Sequence, residues 1–367
     1  MKYNRIVILS VITTFFVLLS QTLYSQLPEG FTVVNSVKTV TVKNQQRAGT
    51  CWAYATTSFF ETEALRKGKP EFDLSEMFFV RYAYMQKAKD YVNFHGVANF
   101  SQGGQAHDAL NVLKKYGAVT EEAYSGLTAG YTIHNHTEMV NMMETVLKQT
   151  VSDEVSSPRW QEVINSILDV YLGKLPEKFI YNSKEFTPKQ FATNEVAINP
   201  NDYIELTSYN HHDFYTSFDL EIPDNWSHDH YYNIPLEELM QVIDYALSNG
   251  FSVCWDGDVS EDGFLYKDGL ALIAETVNEE PQVTQLLRQE TFENWTTTDD
   301  HLMHLTGSVK DANGNIYYST KNSWSATSNN FGGYLYKSSK FVQLKTVAIM
   351  VHKDAIPKTI LNKLKID

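Results

Sequence analysis

The stretch Gln45-Gln46-Arg47-Ala48-Gly49-Thr50-Cys51-Trp52 decides how the rest of the chain is read. A loop containing Gly49 delivers Cys51 to the first turn of a helix that runs to Lys67, where Gly68 and Pro70 end it. A helix N-terminus carries about half a positive charge and unpaired N–H groups. Both favour the thiolate, the reactive form of cysteine. Taken alone, such a cysteine reads as a buried structural residue. Its neighbours elsewhere in the chain point to chemistry instead.

A thiolate that cleaves peptides needs an oxyanion donor, a base, and a group that orients the base. Gln45, six residues before Cys51, can fold back across the loop beside the Cys51 backbone N–H. His301 starts the β-run His301-Leu302-Met303-His304-Leu305-Thr306-Gly307, and Asn322 lies in Lys321-Asn322-Ser323-Trp324. Between them stands Asp311-Ala312-Asn313-Gly314-Asn315, whose Asn-Gly is a strong hairpin signal. Counting back from that turn, His301 falls opposite residues around 322 to 326. Asn322 can therefore reach the imidazole, and Trp324 can shield that bond from water.

Gln-x5-Cys-Trp, then His, then Asn-Ser-Trp resembles the papain family of cysteine peptidases, with Gly49 and Trp52 in the places its signature asks for. Cysteine and histidine are about 130–150 residues apart in the papain type, and 250 apart here. That excess resembles the bleomycin hydrolase and aminopeptidase C branch, which carries a large helical insertion. Leu74-Ser75-Glu76-Met77-Phe78-Phe79, Ser101-Gln102-Gly103-Gly104-Gln105, Lys115-Tyr116-Gly117-Ala118-Val119, Phe186-Thr187-Pro188 and Val253-Cys254-Trp255-Asp256-Gly257-Asp258-Val259 are also similar to segments of that branch. The likeness covers about residues 30 to 360.

The resemblance implies an α+β, papain-like two-lobe fold with a helical insertion at about 127–240. A helical lobe would carry Cys51 and a β lobe His301 and Asn322, with the cleft between them. It implies a cysteine-type peptidase, by its branch an aminopeptidase, with Cys51 as nucleophile, Gln45 at the oxyanion, His301 as base and Asn322 orienting its ring. Gly103, Gly104 and Trp324 are expected to contact substrate, the glycines on the non-primed side where missing side chains let its backbone approach. Peptides are the implied partners, without cofactor, metal or nucleic acid, and the family allows a homo-oligomer. Three rival readings stay open: an endopeptidase with an open cleft, a catalytically silent peptide-binding homologue, and an acyl transferase.

Three departures from the family pattern stand out. Ser325 follows Asn-Ser-Trp where glycine is usual, which changes a local turn and not the catalytic groups. Bleomycin hydrolases are typically cytosolic, whereas Lys2 and Arg5 before the apolar run Ile6 to Leu19 make a signal-peptide layout ending near Ser25. A secreted or periplasmic protein beginning near Gln26 is expected. In tailed relatives the C-terminus enters the cleft and restricts cleavage to peptide N-termini. Here the match reaches about Leu364 and the sequence stops at Asp367, so weaker exclusion of blocked substrates is expected.

Composition agrees with a globular enzyme. The 367 residues are 43% hydrophobic and 20% charged, which excludes disordered and coiled-coil chains. A net charge of −14 is a poor match for a phosphate backbone, and two cysteines exclude a four-cysteine zinc site. Helices are expected at 74–92, 106–115, across 137–180, at 236–248 and 270–292, with a strand at 251–255; 183–232 gives no clear pattern. His304 is a rival base, but it lies three residues from His301 and so on the opposite strand face. Cys254 reads as core. His211, His212, His228 and His230, with Asp213 and Asp229, lack regular metal-site spacing and read as surface-loop residues.

Overall fold

A computed structural model describes residues 27–366 apart from 129, 153–156 and 275, so the expected signal segment lies outside the described residues. Strand β1 (Thr32–Ser36) precedes the helices α1 (Cys51–Arg66), α2 (Glu76–Asn93) and α3 (Ala106–Tyr116). α1 is buried around nearly its whole circumference, as a central helix must be. Phe59 and Phe60 on α1 meet Phe78 and Phe79 on α2 in one core, each contributing roughly 1.5–3 kcal/mol by burial. Ser75 caps α2, its hydroxyl accepting from the Phe78 N–H at 3.1 Å.

The amphipathic stretch across 137–180 forms two helices, α4 (Thr137–Ser152) and α5 (Trp160–Leu172), with Pro158 between them. Met139, Val140, Met143 and Leu147 face the core, while Met142 is exposed. The small hairpin β2 (Phe179–Tyr181) and β3 (Lys184–Phe186) leads into α6 (Pro188–Phe191), where Thr187 and Gln190 form a capping box. The segment without a sequence pattern then supplies β4 (Tyr203–Thr207), β5 (Ser217–Asp219) and β6 (His230–Asn233).

The second lobe comprises α7 (Leu236–Ser248), β7 (Val253–Gly257), β8 (Phe264–Leu265), β9 (Leu270–Ala271), α8 (Gln285–Glu293), β10 (His301–Lys310), β11 (Ile316–Lys321), β12 (Tyr334–Ser338), α9 (Ser339–Lys345), β13 (Thr346–His352) and α10 (Lys358–Leu364). One sheet runs β5-β6-β4-β13-β7-β10-β11-β12-β9-β8, with β1 on β10. The expected hairpin is β10–β11, closed by Asp311, whose Oδ1 accepts from the Asn313 and Asn315 N–H groups at 2.9 Å.

The expected helix over 270–292 is corrected. It contains β9 and a 3₁₀ turn, and only its last third, in α8, is helical. Pro281 disfavours helix at Glu280, which stays extended, and Thr284 starts α8 afresh by accepting from the Leu287 N–H. The mixed α/β architecture has a helical core around α1–α5 and a second core around the sheet and α7, the two-lobe arrangement expected.

Candidate active site

Cys51 is the first residue of α1, at the boundary between the two cores. The loop before it is held by Gln102: the Gly49 N–H donates to its Oε1 at 2.8 Å, and Trp52 Nε1 donates to its carbonyl at 3.1 Å. A Cβ on Gly49 would stand 3.1 Å from the Gln102 Cβ, so glycine is the residue that fits.

The structure joins His301 and Asn322: Nε2 donates to Oδ1 at 2.8 Å, and both residues are buried. This leaves Nδ1 as the ring nitrogen available for proton transfer. Trp324 lies over the pair, its ring 4.9 Å from the imidazole at 31°. The backbone N–H of Leu302, next to His301, reaches the Cys51 sulfur, which places nucleophile and histidine on one wall. Burial pushes the Cys51 thiol up to about 12, opposed by that N–H and reinforced by Asp299, Asp224 and Asp256. Burial takes His301 down to about 4, opposed by Asn322. Each group alone is therefore neutral at pH 7. A proton passing from Sγ to Nδ1 would create both charges together.

Gln45 is fixed at both ends of its amide. Ser323 Oγ donates to its Oε1 at 2.6 Å, and its Nε2 donates to the Ala48 carbonyl at 3.0 Å. These two bonds leave one Nε2 proton over. Ser323, which the sequence reading gave no role, therefore ties the Gln45 amide to the strand end that carries Asn322. The Gln45 N–H also donates to the Ser323 carbonyl at 2.8 Å.

The structure separates the rival residues. His304 faces the core behind the site, with Ser58 Oγ 2.9 Å from its Nδ1. Cys254 is buried against Thr56 Oγ1 at 3.7 Å. Among the described residues, one histidine group has metal-like proximity: His211, His212 and Glu221. Gln289 Nε2 donates to His211 Nδ1 at 3.0 Å, so His211 Nε2 carries the proton that Glu221 accepts at 2.9 Å. Both histidines are thus used in hydrogen bonds to one carboxylate.

Gly103 and Gly104 lie beside Trp52, but neither opens onto empty space. A Cβ on Gly103 would collide with the Asp224 carboxylate, and one on Gly104 would meet Asp108 Oδ2 at 2.7 Å and the Trp52 ring at 3.1 Å. The expected free approach at Gly103 is thus taken by a side chain from the 127–240 region. Asp224, Asp256 and Asp299 form an acidic wall that nothing in their spacing reveals; they come from the β5–β6 loop, from β7 and from the residues before β10.

A family model described as Peptidase C1-like family matches residues 13–367. Aminopeptidase C of Listeria monocytogenes is 24% identical over 374 residues, covering 89% of this chain and 83% of that protein. The mitochondrial Cysteine proteinase 1 of Saccharomyces cerevisiae is 23% identical, covering 91% and 79%. Aminopeptidase G of Lactobacillus delbrueckii is 22% identical, covering 86% and 82%. In fold, the chain is similar to the crystal structure of PepW from Lactobacillus rhamnosis, with a TM-score of 0.72 at 20% identity over 91% of this chain and 84% of that one.

Proposed function

The chain belongs to the Peptidase C1-like family and is a cysteine peptidase, and from that premise we propose that it is an exported aminopeptidase acting through Cys51, His301, Asn322 and Gln45. The observation that carries this reading is the buried His301–Asn322 bond beneath Trp324, on the same wall as the sulfur at the start of α1. His301 Nδ1 takes the Cys51 proton as Sγ attacks the peptide carbonyl carbon. The oxyanion accepts from the Cys51 N–H and the remaining Gln45 Nε2 proton. The imidazolium then protonates the leaving amine, and the C–N bond breaks to a thioester. Water attacks the thioester with His301 as base, releasing the acid and restoring the thiol.

The proposal is tested with an epoxide thiol inactivator and adduct mapping. Cys51 is expected to carry the label; an adduct on Cys254, or full activity in Cys51→Ala, refutes the assignment. Aminopeptidase action rests on the names of the relatives and is read out by comparing kcat/KM for free-amine and N-acetylated peptides; equal values would indicate an endopeptidase. Export rests on Lys2, Arg5 and the apolar run to Leu19. N-terminal sequencing of protein from its native host is expected to begin near Gln26, and a full-length cytoplasmic product refutes it.

A further inference from the structure

In the proposed reaction, two of the three directions around the attacked carbon are already taken. Its oxygen turns to the Cys51 N–H and the Gln45 amide, and its leaving nitrogen to His301 Nδ1. The acyl residue, with whatever precedes it, leaves along the third, away from His301 and toward the helical side of the cleft. Residues 102–104 form that side. Gln102 holds the Gly49 N–H at 2.8 Å and Trp52 Nε1 at 3.1 Å, and a Cβ on Gly104 would stand 3.1 Å from the Trp52 ring.

The loop between β5 and β6, residues 220–229, lies across this strip. Its ends are paired, Asp219 opposite His230. Asn225, 3% exposed, ties it from inside: Nδ2 donates to the Leu220 and Asp229 carbonyls at 3.2 and 3.0 Å, and Oδ1 accepts from the Asp229 N–H at 3.1 Å. Such a loop is a compact body held by its own side chains. It is also docked on both shoulders. Asn99 Nδ2 donates to the Pro223 carbonyl at 2.7 Å and to Asp224 Oδ1 at 3.1 Å, and Ser101 Oγ donates to the same carboxyl oxygen at 3.3 Å. On the α3 side, Trp226 Nε1 donates to Asp108 Oδ2 and Asn111 Nδ2 to Asp229 Oδ2, both at 2.8 Å. Between these anchors the Asp224 carboxyl group rests on Gly103, so closely that all three of its atoms would clash with a Cβ there. The Gly103 carbonyl is itself taken by Lys87 Nζ at 2.7 Å. After burial itself, Asp224 is among the carboxylates that push the Cys51 thiol up, which places it at the site.

We propose that this loop is a strap that closes the acyl side of the cleft, and that Asp224 determines specificity there by its bulk: the N-terminal residue of a peptide fits in front of it and an interior segment does not. The inference rests on the aminopeptidase reading above and supplies a steric cause for it. A peptide continuing past the acyl residue would have to lift the Asp224 carboxylate off Gly103 and out of its bonds to Asn99 and Ser101, leaving those donors without their partner. A substrate that ends at the acyl residue makes no such demand. Gly103 completes the arrangement from below, because a Cβ there would displace the strap. The last described helix, α10, packs elsewhere, against the second core, where Lys363 pairs with Glu238 of α7.

The test measures kcat/KM for alanyl and N-acetyl-alanyl-alanyl fluorogenic amides and maps, by mass spectrometry, the cuts made in a long N-acetylated peptide. The enzymes are the wild type, Asp224→Ala, Asp224→Asn, Asn99→Ala and a chain lacking residues 363–367. Active sites are titrated with the epoxide so that misfolded enzyme is not counted. The wild type is expected to prefer the free amine by more than about 10²-fold and to leave the long peptide intact. Asp224→Ala removes the obstacle, and Asn99→Ala removes two of the strap's anchors. Each should cut the ratio at least about 10-fold and release internal fragments from the long peptide. Asp224→Asn keeps the bulk and should keep the selectivity, as should the deletion. A wild-type ratio near one overturns the aminopeptidase reading itself. A high ratio that survives both Asp224→Ala and Asn99→Ala overturns the strap alone, and its collapse in the deletion would then place the limit at the C-terminus. A ratio that falls as far in Asp224→Asn as in Asp224→Ala overturns exclusion by bulk in favour of exclusion by charge.

Discussion

The two walls that meet at Cys51 are both buried, and burial keeps both uncharged at rest through different groups. On the imidazole wall His301 pairs with Asn322, Ser323 with Gln45, and Gln45 with Ala48, and Asn322 Nδ2 alone of these amides is left without a partner. Burial there keeps the resting groups neutral, His301 down to about 4 and the Cys51 thiol up to about 12. On the acidic wall burial raises Asp256 well above the usual carboxyl range and Asp299 to about 7, and the two share a hydrogen bond. A paired polar set in a dry site is preorganised for proton transfer. Buried carboxyls crowded together hold a proton between them instead. The difference lies in the kinds of group present, a thiol facing an imidazole on one side and carboxyls alone on the other, not in depth of burial.

The imidazole wall is broken most severely by His301→Ala, which is expected to lower kcat by at least about 10²-fold. His304→Ala should leave turnover within a few-fold and cost stability instead, because His304 packs edge-on to Phe59 and pairs with Ser58 behind the site. Steady-state kinetics on both variants decide the matter; a dead His304→Ala with an active His301→Ala would reverse the assignment.

The acidic side is anchored by His107, whose Nδ1 lies 2.7 Å from Glu205 Oε2 and which holds α3 against β4. Burial by itself lowers the His107 pKa, but Glu205 and Asp108 outweigh it and raise the value to about 10. A folded-state pKa above the unfolded value of about 6.5 means that this pair stabilises fully below pH 6.5. That contribution, on the order of a few kcal/mol, is lost as pH rises toward 10. Urea denaturation at pH 6.5, 8 and 9.5 should show this decline in the wild type and a flatter profile in Glu205→Gln. Parallel profiles would show that the pair carries no net stabilisation.

The smallest expected effect concerns the loop after Trp324. Ser325 has φ +81, a left-handed conformation that glycine adopts without penalty. Ser325→Gly should therefore raise stability by up to about 1 kcal/mol, about 1–2 °C in Tm, partly offset by the freer unfolded chain. Thermal denaturation checks this, and kcat should not move, since the His301–Asn322 bond lies outside that turn. A fall in kcat would show that the strained serine positions Trp324.

Much of the imidazole wall was legible because local rules generate it. A glycine before a helix start presents Cys51, and an Asn-Gly hairpin sets His301 opposite the Asn322–Trp324 strand end. Strand parity turns His304 the other way. Each depends on residues close in sequence or paired through one short turn. The same rules failed over 270–292, where Pro281 and a capping threonine divided an apparently helical stretch, and over 183–232, whose strands β4 to β6 are defined by pairing with distant partners.

By itself, then, the sequence determined the two-lobed α+β class and the register that joins His301 to Asn322. The acidic wall was decided only by tertiary structure. Asp224, Asp256 and Asp299 belong to three separate segments, and no periodicity relates them. Asp224 reaches the cleft because the β5–β6 loop folds over α3, where Trp226 Nε1 and Ser227 Oγ donate to Asp108 at 2.8 and 3.4 Å. The physical reason is range: hairpins and helix caps are encoded within a few residues, whereas the meeting of like charges depends on long-range packing strong enough to hold them together.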